Sequence, residues 1–160
     1  MQALHFVIEQ IAICPRDPER AKVLLSDMGA VGWVEDHVKA KGKVFGFAGD
    51  NEANLSFNYN MFQGSEFEVL EYTAGSNWMA ENSRINSVSH LGTHCTDEDL
   101  EGWRAFFDER GIKAAQEVET FSHTNQFLID TKRTYQYVIF DTKEILGVDV
   151  KFIVRKEAKG

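Results

Sequence analysis

The architecture is encoded most clearly near the middle of the chain, in the stretch VSHLGTHCTDEDL at residues 88–100. Its first eight residues suit a strand, and Thr96 with Asp99 resembles a helix-starting capping box in which aspartate replaces the usual Glu or Gln. The apolar residues that follow recur at helical spacing and are Leu100, Trp103 and Phe107. Gly111 then supplies a helix stop. The stretch therefore predicts a strand, a short connection and an amphipathic helix.

The same pattern occurs about eighty residues earlier. IEQIAIC at residues 8–14 suits a buried strand, and DPERA at residues 17–21 suits a helix start with an acidic N-cap and proline in the first turn. Gly29 then ends the first helix as Gly111 ends the second. Because a repeat of this length is far too long for a solenoid unit, it predicts two duplicated supersecondary modules.

Strand-like stretches follow each predicted helix. They are residues 31–38, 44–47, 55–61 and 67–72 in the first half, and 114–123, 135–140 and 148–154 in the second. Each half therefore predicts a βαβββ module, with residues 44–47 as an additional short strand. Because each half is too small for its own core, we expect one α+β domain over residues 1–160. Module one covers about 5–74, the connection about 75–86, and module two about 87–156.

Composition excludes several classes of function. The chain has 160 residues, 43% of them hydrophobic, and a formal net charge of −8, which disfavours nucleic acid and anionic membranes as partners. No apolar run approaches the roughly 18 residues that cross a bilayer. Cys14 and Cys95 are the only cysteines, and nothing suggests secretion. We therefore expect two reduced thiols in a cytoplasmic protein.

Four short motifs occur in a fixed order at module spacing. They are residues 8–13, the helix start at 17–21, FEVLEY at 67–72, and SHLGTH at 89–94. Together they resemble the vicinal-oxygen-chelate superfamily, which includes glyoxalases, bleomycin-resistance proteins and ring-cleaving dioxygenases. The resemblance covers about residues 7–155. It implies two tandem βαβββ modules forming one domain around a curved-sheet cleft.

Enzymes of this superfamily hold a divalent metal through His or Gln, then Glu, His and Glu, on the first and last strands of each module. The resemblance places the first three ligands at Gln10, Glu68 and His90. For the fourth, alternation along residues 148–154 puts Asp149 and Lys151 on the cleft face, opposite an apolar face. Asp149 is the only acid there. Alternatively, Lys151 occupies the ligand position, repels a metal and pairs with Glu68.

The implied ligand set contains nitrogen and oxygen without thiolate, which suits Zn²⁺, Ni²⁺, Co²⁺, Mn²⁺ or Fe²⁺. By resemblance to glyoxalase I, we expect a metal-dependent lyase or isomerase acting on a small substrate with adjacent oxygens, with Glu68 or Asp149 as the base. A ring-cleaving dioxygenase is an alternative, but that branch usually binds its metal through two His and one Glu, and Gln10 departs from this set. Another is a metal-free, ligand-sequestering protein of the bleomycin-resistance type, usually a homodimer, for which the net charge suits a cationic ligand.

Other residues are candidates for the cleft wall or for groups behind the ligands. His94 shares a strand face with His90, four residues away. Tyr135 and Tyr137 share one strand face, and Phe57 and Tyr59 share another, so either pair is a candidate for the cleft wall. The preference of aromatic residues for strands also explains both pairs. Phe62 and Trp78 are further candidates for a ligand wall.

Overall fold

The computed structural model describes residues 4–61, 65–75 and 87–158. In chain order the first half contains β1 (Gln10–Cys14), α1 (Pro18–Asp27), β2 (Val34–Val44), β3 (Phe47–Asn58) and β4 (Glu66–Gly75). The second half contains β5 (Ser87–His94), α2 (Asp97–Asp108), β6 (Ala114–Ser122), α3 (Gln126–Thr131), β7 (Thr134–Phe140), α4 (Lys143–Leu146) and β8 (Asp149–Lys156). Both predicted βαβββ modules are therefore present.

The strands of both halves form one closed barrel in the order β1-β4-β3-β2-β6-β7-β8-β5. Each half contributes its strands in the same order, with its first strand parallel to its last. The halves meet at two antiparallel seams, β1 with β5 and β2 with β6. The α+β fold predicted from the repeat is confirmed, and its curved sheet closes on itself.

A glycine permits close packing at the second seam. Gly42 of β2 lies opposite Val118 of β6, and a Cβ atom at this position would lie 1.9 Å from the carbonyl oxygen of Glu117. No other residue type has room there unless the strands move apart. Gly42 therefore allows β2 to approach β6 closely enough to pair along Val38–Val44.

Two details differ from the sequence-based prediction. The stretch 44–47 is not a separate strand: Phe45 and Gly46 form the turn between β2 and β3, both with positive φ, and the two strands are longer than expected. The short helices α3 and α4 were not predicted. Of the predicted connection at 75–86, only Gly75 belongs to the described residues, and Phe62 and Trp78 lie outside them.

The main apolar core lies outside the barrel, between α2 and the strands of the second half. The predicted stripe of Leu100, Trp103 and Phe107 faces the apolar side of β8, where Val150, Phe152 and Val154 alternate with the inward-facing residues. The Trp103 and Phe152 rings are 5.1 Å apart between centroids, and those of Phe107 and Phe140 are 4.2 Å apart. This core holds β8 against α2 and thereby fixes the side chains on its opposite face.

The two modules differ in how their helices pack. Helix α1 begins as predicted, with the Asp17 carboxylate accepting a hydrogen bond from the Arg20 backbone N–H at 3.0 Å. None of the residues of α1 is buried, whereas α2 buries Leu100, Trp103 and Phe107.

None of the described helices has the length and apolar character needed to cross a bilayer.

Both cysteines are free in the structure. Burial raises the pKa of each thiol to about 11. Because the thiolate is the reactive form, we expect slow reaction of the folded protein with a disulfide reagent at neutral pH. Unfolding without reductant should release two reactive thiols per chain. A monomer in which unfolding releases no thiol would contradict this prediction.

Candidate functional site

Two rows of side chains meet inside the barrel where β4, β1, β5 and β8 lie side by side. Strand register sets one row as Glu68, Ala12, His90 and Asp149, and the adjacent row as Glu66, Gln10, Gly92 and Lys151. Ala12 and Gly92 are the small members, and a Cβ atom on Gly92 would lie 3.0 Å from Oε1 of Gln10. The small residues leave space for the longer side chains, so residues from both modules meet at one place.

Gln10 connects the two modules through its side-chain amide. Its Nε2 donates to the Glu66 carboxylate, so its Oε1 faces Nε2 of His90 at 2.8 Å. Because an amide oxygen can only accept, His90 carries its proton on Nε2, and Nδ1 can accept from the Ser89 hydroxyl at 3.2 Å. Burial, with Lys151 nearby, holds the pKa of His90 well below its usual range, which keeps the ring neutral.

Lys151 projects its ammonium into this network. Its Nζ donates to Oε1 of Gln10 at 3.3 Å, lies 3.4 Å from Nε2 of His90, and is 3.9 Å from the centre of the Tyr137 ring. The residue is only 4% exposed. Burial lowers the pKa of Lys151, and the carboxylates of Glu68 and Glu66 oppose that shift.

Glu68 is the most isolated acid of the site. It is 1% exposed, and its Oε1 has no hydrogen-bond partner among the described residues. Burial raises the pKa of this carboxyl to about 7, although the nearby Lys151 charge acts in the opposite direction. Within the described residues no ion pair joins Lys151 to Glu68, so the two groups interact through their electrostatic field.

Asp149 is fully buried beside His90, but its carboxylate has another contact. Its Oδ1 accepts a hydrogen bond from the backbone N–H of Lys143, the first residue of α4, at 3.2 Å. Asp149 is absent from the lining of the small internal cavity that Glu68, His90 and Lys151 share. The structure therefore brings Gln10, His90 and Lys151 into contact, with Glu68 nearby and Asp149 turned towards α4.

A larger cavity of about 240 Å³ opens at the barrel mouth next to Gln10. Five aromatic side chains contribute to its walls, and among them the Tyr135 and Tyr137 rings stack with 6.2 Å between centroids. Glu66 accepts from the Tyr59 hydroxyl at 2.9 Å, and burial, followed by this carboxylate, raises the pKa of Tyr59. The sequence candidates that line this cavity are Gln10, Phe57, Tyr59, His94, Tyr135 and Tyr137.

No protein-family model matches the chain, and no curated protein sequence is significantly similar to it. Solved structures do share its fold. A hypothetical protein from Bacillus halodurans C-125 is 13% identical, with a TM-score of 0.51 over 96% of this chain and 97% of that chain. A triple mutant of 4-hydroxymandelate synthase from Streptomyces coelicolor is 14% identical, with a TM-score of 0.50 over 96% of this chain.

The present chain spans 49% of that synthase. A methylmalonyl-CoA epimerase is also similar, at 15% identity and a TM-score of 0.47, over 96% of this chain and 98% of that chain. This chain has the vicinal-oxygen-chelate fold. At these identities the likeness extends to the fold alone.

The resemblance noted in the sequence implies a metal at this place, and the side chains here do not fit one. The ammonium of Lys151 lies within 3.4 Å of the amide oxygen and imidazole nitrogen that would be two of its ligands. Nε2 of His90 points its proton at Gln10, so this nitrogen has no free lone pair. The described residues contain no group of three or more His, Cys, Asp or Glu side chains placed to hold an ion. The four-ligand set stays a prediction from the sequence.

Several residues of this candidate site were not singled out in the sequence. Glu66 is the most important, because it orients both Gln10 and Tyr59. It lies two residues before Glu68, so strand alternation places both on one face and could have found it. Asp36, Phe127 and Arg133 also line the mouth cavity. No local sequence pattern indicates this, because these residues come together only when the barrel closes.

Proposed function

We propose that this chain is a metal-independent binding protein that holds a small organic molecule in the mouth cavity. The observation that carries the proposal is the Lys151 ammonium, which lies beside the hydrogen-bonded pair of Gln10 and His90, two of the residues that the superfamily resemblance implies as metal ligands. The function is therefore of the ligand-sequestering, bleomycin-resistance type. The network around Gln10 forms the floor of the cavity, and Lys151 lies behind this floor, outside the residues that line the cavity.

The cavity walls favour an organic cation. Five aromatic side chains of the lining offer ring faces: Phe57, Tyr59, Phe127, Tyr135 and Tyr137. A cation over such a face gains roughly 0.5–2 kcal/mol of binding free energy. Protein cations already use two of these rings, Lys151 over Tyr137 at 3.9 Å and Arg133 over Phe127 at 5.1 Å. Glu66 and Asp36 add carboxylates, whereas Arg133 is paired with Glu157 at 3.1 Å.

The proposal is tested by metal analysis and calorimetry on the same preparation. Protein purified without chelator should contain no stoichiometric metal. It should bind choline more tightly than the uncharged analogue in which a tert-butyl group replaces the trimethylammonium group. Glu66→Gln should weaken choline binding by about tenfold, which corresponds to about 1.4 kcal/mol.

Glu98→Gln, which removes a charge outside the cavity lining, should bind choline as the wild type does. Equal affinity for choline and its uncharged analogue, or one metal ion per purified chain, would contradict the proposed function.

A second function, a glyoxalase-like metal-dependent lyase or isomerase, is favoured by one observation. The buried Oε1 of Glu68 has no partner among the described residues, which is unusual for a carboxylate that serves only structure. In such an enzyme Glu68 would be the base. A stoichiometric ion in the purified wild type would favour this function over the first.

A further inference from the structure

We propose that Lys151 is an internal cation standing in the position of a divalent metal, and that replacing this one residue by glutamate creates a metal site. The proposal rests on the proposed function and deepens it, because it names the residue that makes the cavity independent of metal. The ligand class is a divalent transition ion such as Zn²⁺ or Ni²⁺.

The atoms around the ammonium are of the kind that transition ions bind. Nζ is near an amide oxygen and an imidazole nitrogen, at 3.3 Å and 3.4 Å, with the Glu68 carboxylate close enough to influence its charge. Nitrogen and carboxylate ligands of this kind suit Zn²⁺ and its neighbours. Lys151 therefore occupies surroundings that resemble a metal site from which the ion has been replaced by a side chain.

The backbone keeps the other groups in place independently of Lys151. The row of Glu68, Ala12 and His90 is fixed by pairing of β4 and β5 with β1. Gln10 is oriented by Glu66 from one side and contacts Nε2 of His90 at 2.8 Å on the other. A change at Lys151 on β8 removes none of these contacts, so Gln10, Glu68 and His90 remain as candidate ligands.

Glutamate at position 151 supplies the missing acid. Its shorter side chain ends before the point that Nζ reaches, which leaves room for an ion beyond the carboxylate. The change also replaces the positive charge that repels an ion by a negative one. Ligation through Nε2 requires the other tautomer of His90, in which Nδ1 carries the proton and donates it to the Ser89 hydroxyl, 3.2 Å away.

The experiment compares metal binding by the wild type, Lys151→Glu, Lys151→Met and the double variant Lys151→Glu with His90→Ala. Each is incubated with Zn²⁺ or Ni²⁺, dialysed and analysed for metal, and its melting temperature is measured with and without the ion. Lys151→Glu should retain about one ion per chain and melt at a higher temperature with it, because an ion that binds only the folded state stabilises that state.

The wild type, Lys151→Met and the double variant should retain no ion. Lys151→Met is the matched control, because it removes the charge without adding a nitrogen or oxygen ligand. A folded Lys151→Glu protein that binds no ion, or a wild type that binds one, would overturn the proposal. If Lys151→Glu does not fold, Lys151→Gln supplies a neutral oxygen, and a folded Lys151→Gln protein without ion affinity would overturn it equally.

These results are independent of choline binding. A metal-free wild type that binds neither choline nor its analogue would end the proposed function, yet a gain of metal by Lys151→Glu would still uphold the role of Lys151.

Discussion

Trp103→Ala is expected to lower the free energy of unfolding by about 3–5 kcal/mol, the usual cost of truncating a large buried aromatic residue. Trp103 is 8% exposed and packs against Phe6, Phe107 and Phe152 in the core beneath α2. The cavity left behind cannot close easily, because β8, which forms its far wall, is held in place by pairing with β5 and β7. Denaturant unfolding monitored by circular dichroism measures the change.

The first module supplies a matched control for this variant. Leu24 lies seven residues after the N-cap Asp17, as Trp103 lies seven residues after the N-cap Thr96, but Leu24 is 60% exposed. Leu24→Ala should therefore change the free energy of unfolding by no more than about 0.5 kcal/mol. Similar losses in the two variants would show that the helices pack alike, contrary to the structure.

Glu68→Gln is expected to remove a pH dependence of stability between about pH 4.5 and pH 7. Burial raises the pKa of Glu68 from 4.5 to about 7, so the folded state binds this proton more tightly than the unfolded state. The associated stability is complete below pH 4.5 and is lost as the pH rises through 7. A shift of this size corresponds to roughly 3 kcal/mol.

Denaturant unfolding at several pH values measures the slope of stability against pH. The wild type should be less stable at pH 7 than the other titrating groups alone predict, and Glu68→Gln should lack this loss. Glu98→Gln, in the exposed first turn of α2, should keep the slope of the wild type. Identical slopes for the wild type and Glu68→Gln would contradict the buried, unpartnered state of this carboxyl.

Local sequence patterns predicted the elements well, and the reasons are physical. Alternation along 148–154 separated the apolar face of Val150, Phe152 and Val154 from the inward face of Lys151, because a strand in contact with a helix must bury one side. The helical spacing of Leu100, Trp103 and Phe107 predicted the face of α2 that is buried. Such patterns depend on residues that are close in the chain, so a single sequence is enough to predict which face of an element is buried.

Long-range features were beyond these patterns. The run around Phe45 is apolar and resembles a strand, yet the chain turns there because Phe45 and Gly46 adopt positive φ. The pairing of Gly42 with Val118 joins residues that are distant in the chain, and no local signal specifies it. The resemblance suggested Gln10, Glu68 and His90, and strand alternation left Asp149 and Lys151 as alternatives for the fourth position. The packed barrel was needed to show the Lys151 ammonium beside Gln10 and His90 and the Asp149 carboxylate turned towards α4.

The β2–β6 seam determines how this molecule can meet its surroundings. In a sheet that curves without closing, the outer strands leave unpaired N–H and C=O groups that attract other strands and can start aggregation. Here the ring of eight described strands is continuous, so its main-chain groups pair within the chain. A second copy would therefore have to bind through side chains, not by extending the sheet. Under the proposed function, a ligand would reach the Gln10 network along the barrel axis, and the width of the mouth would limit the size of that ligand.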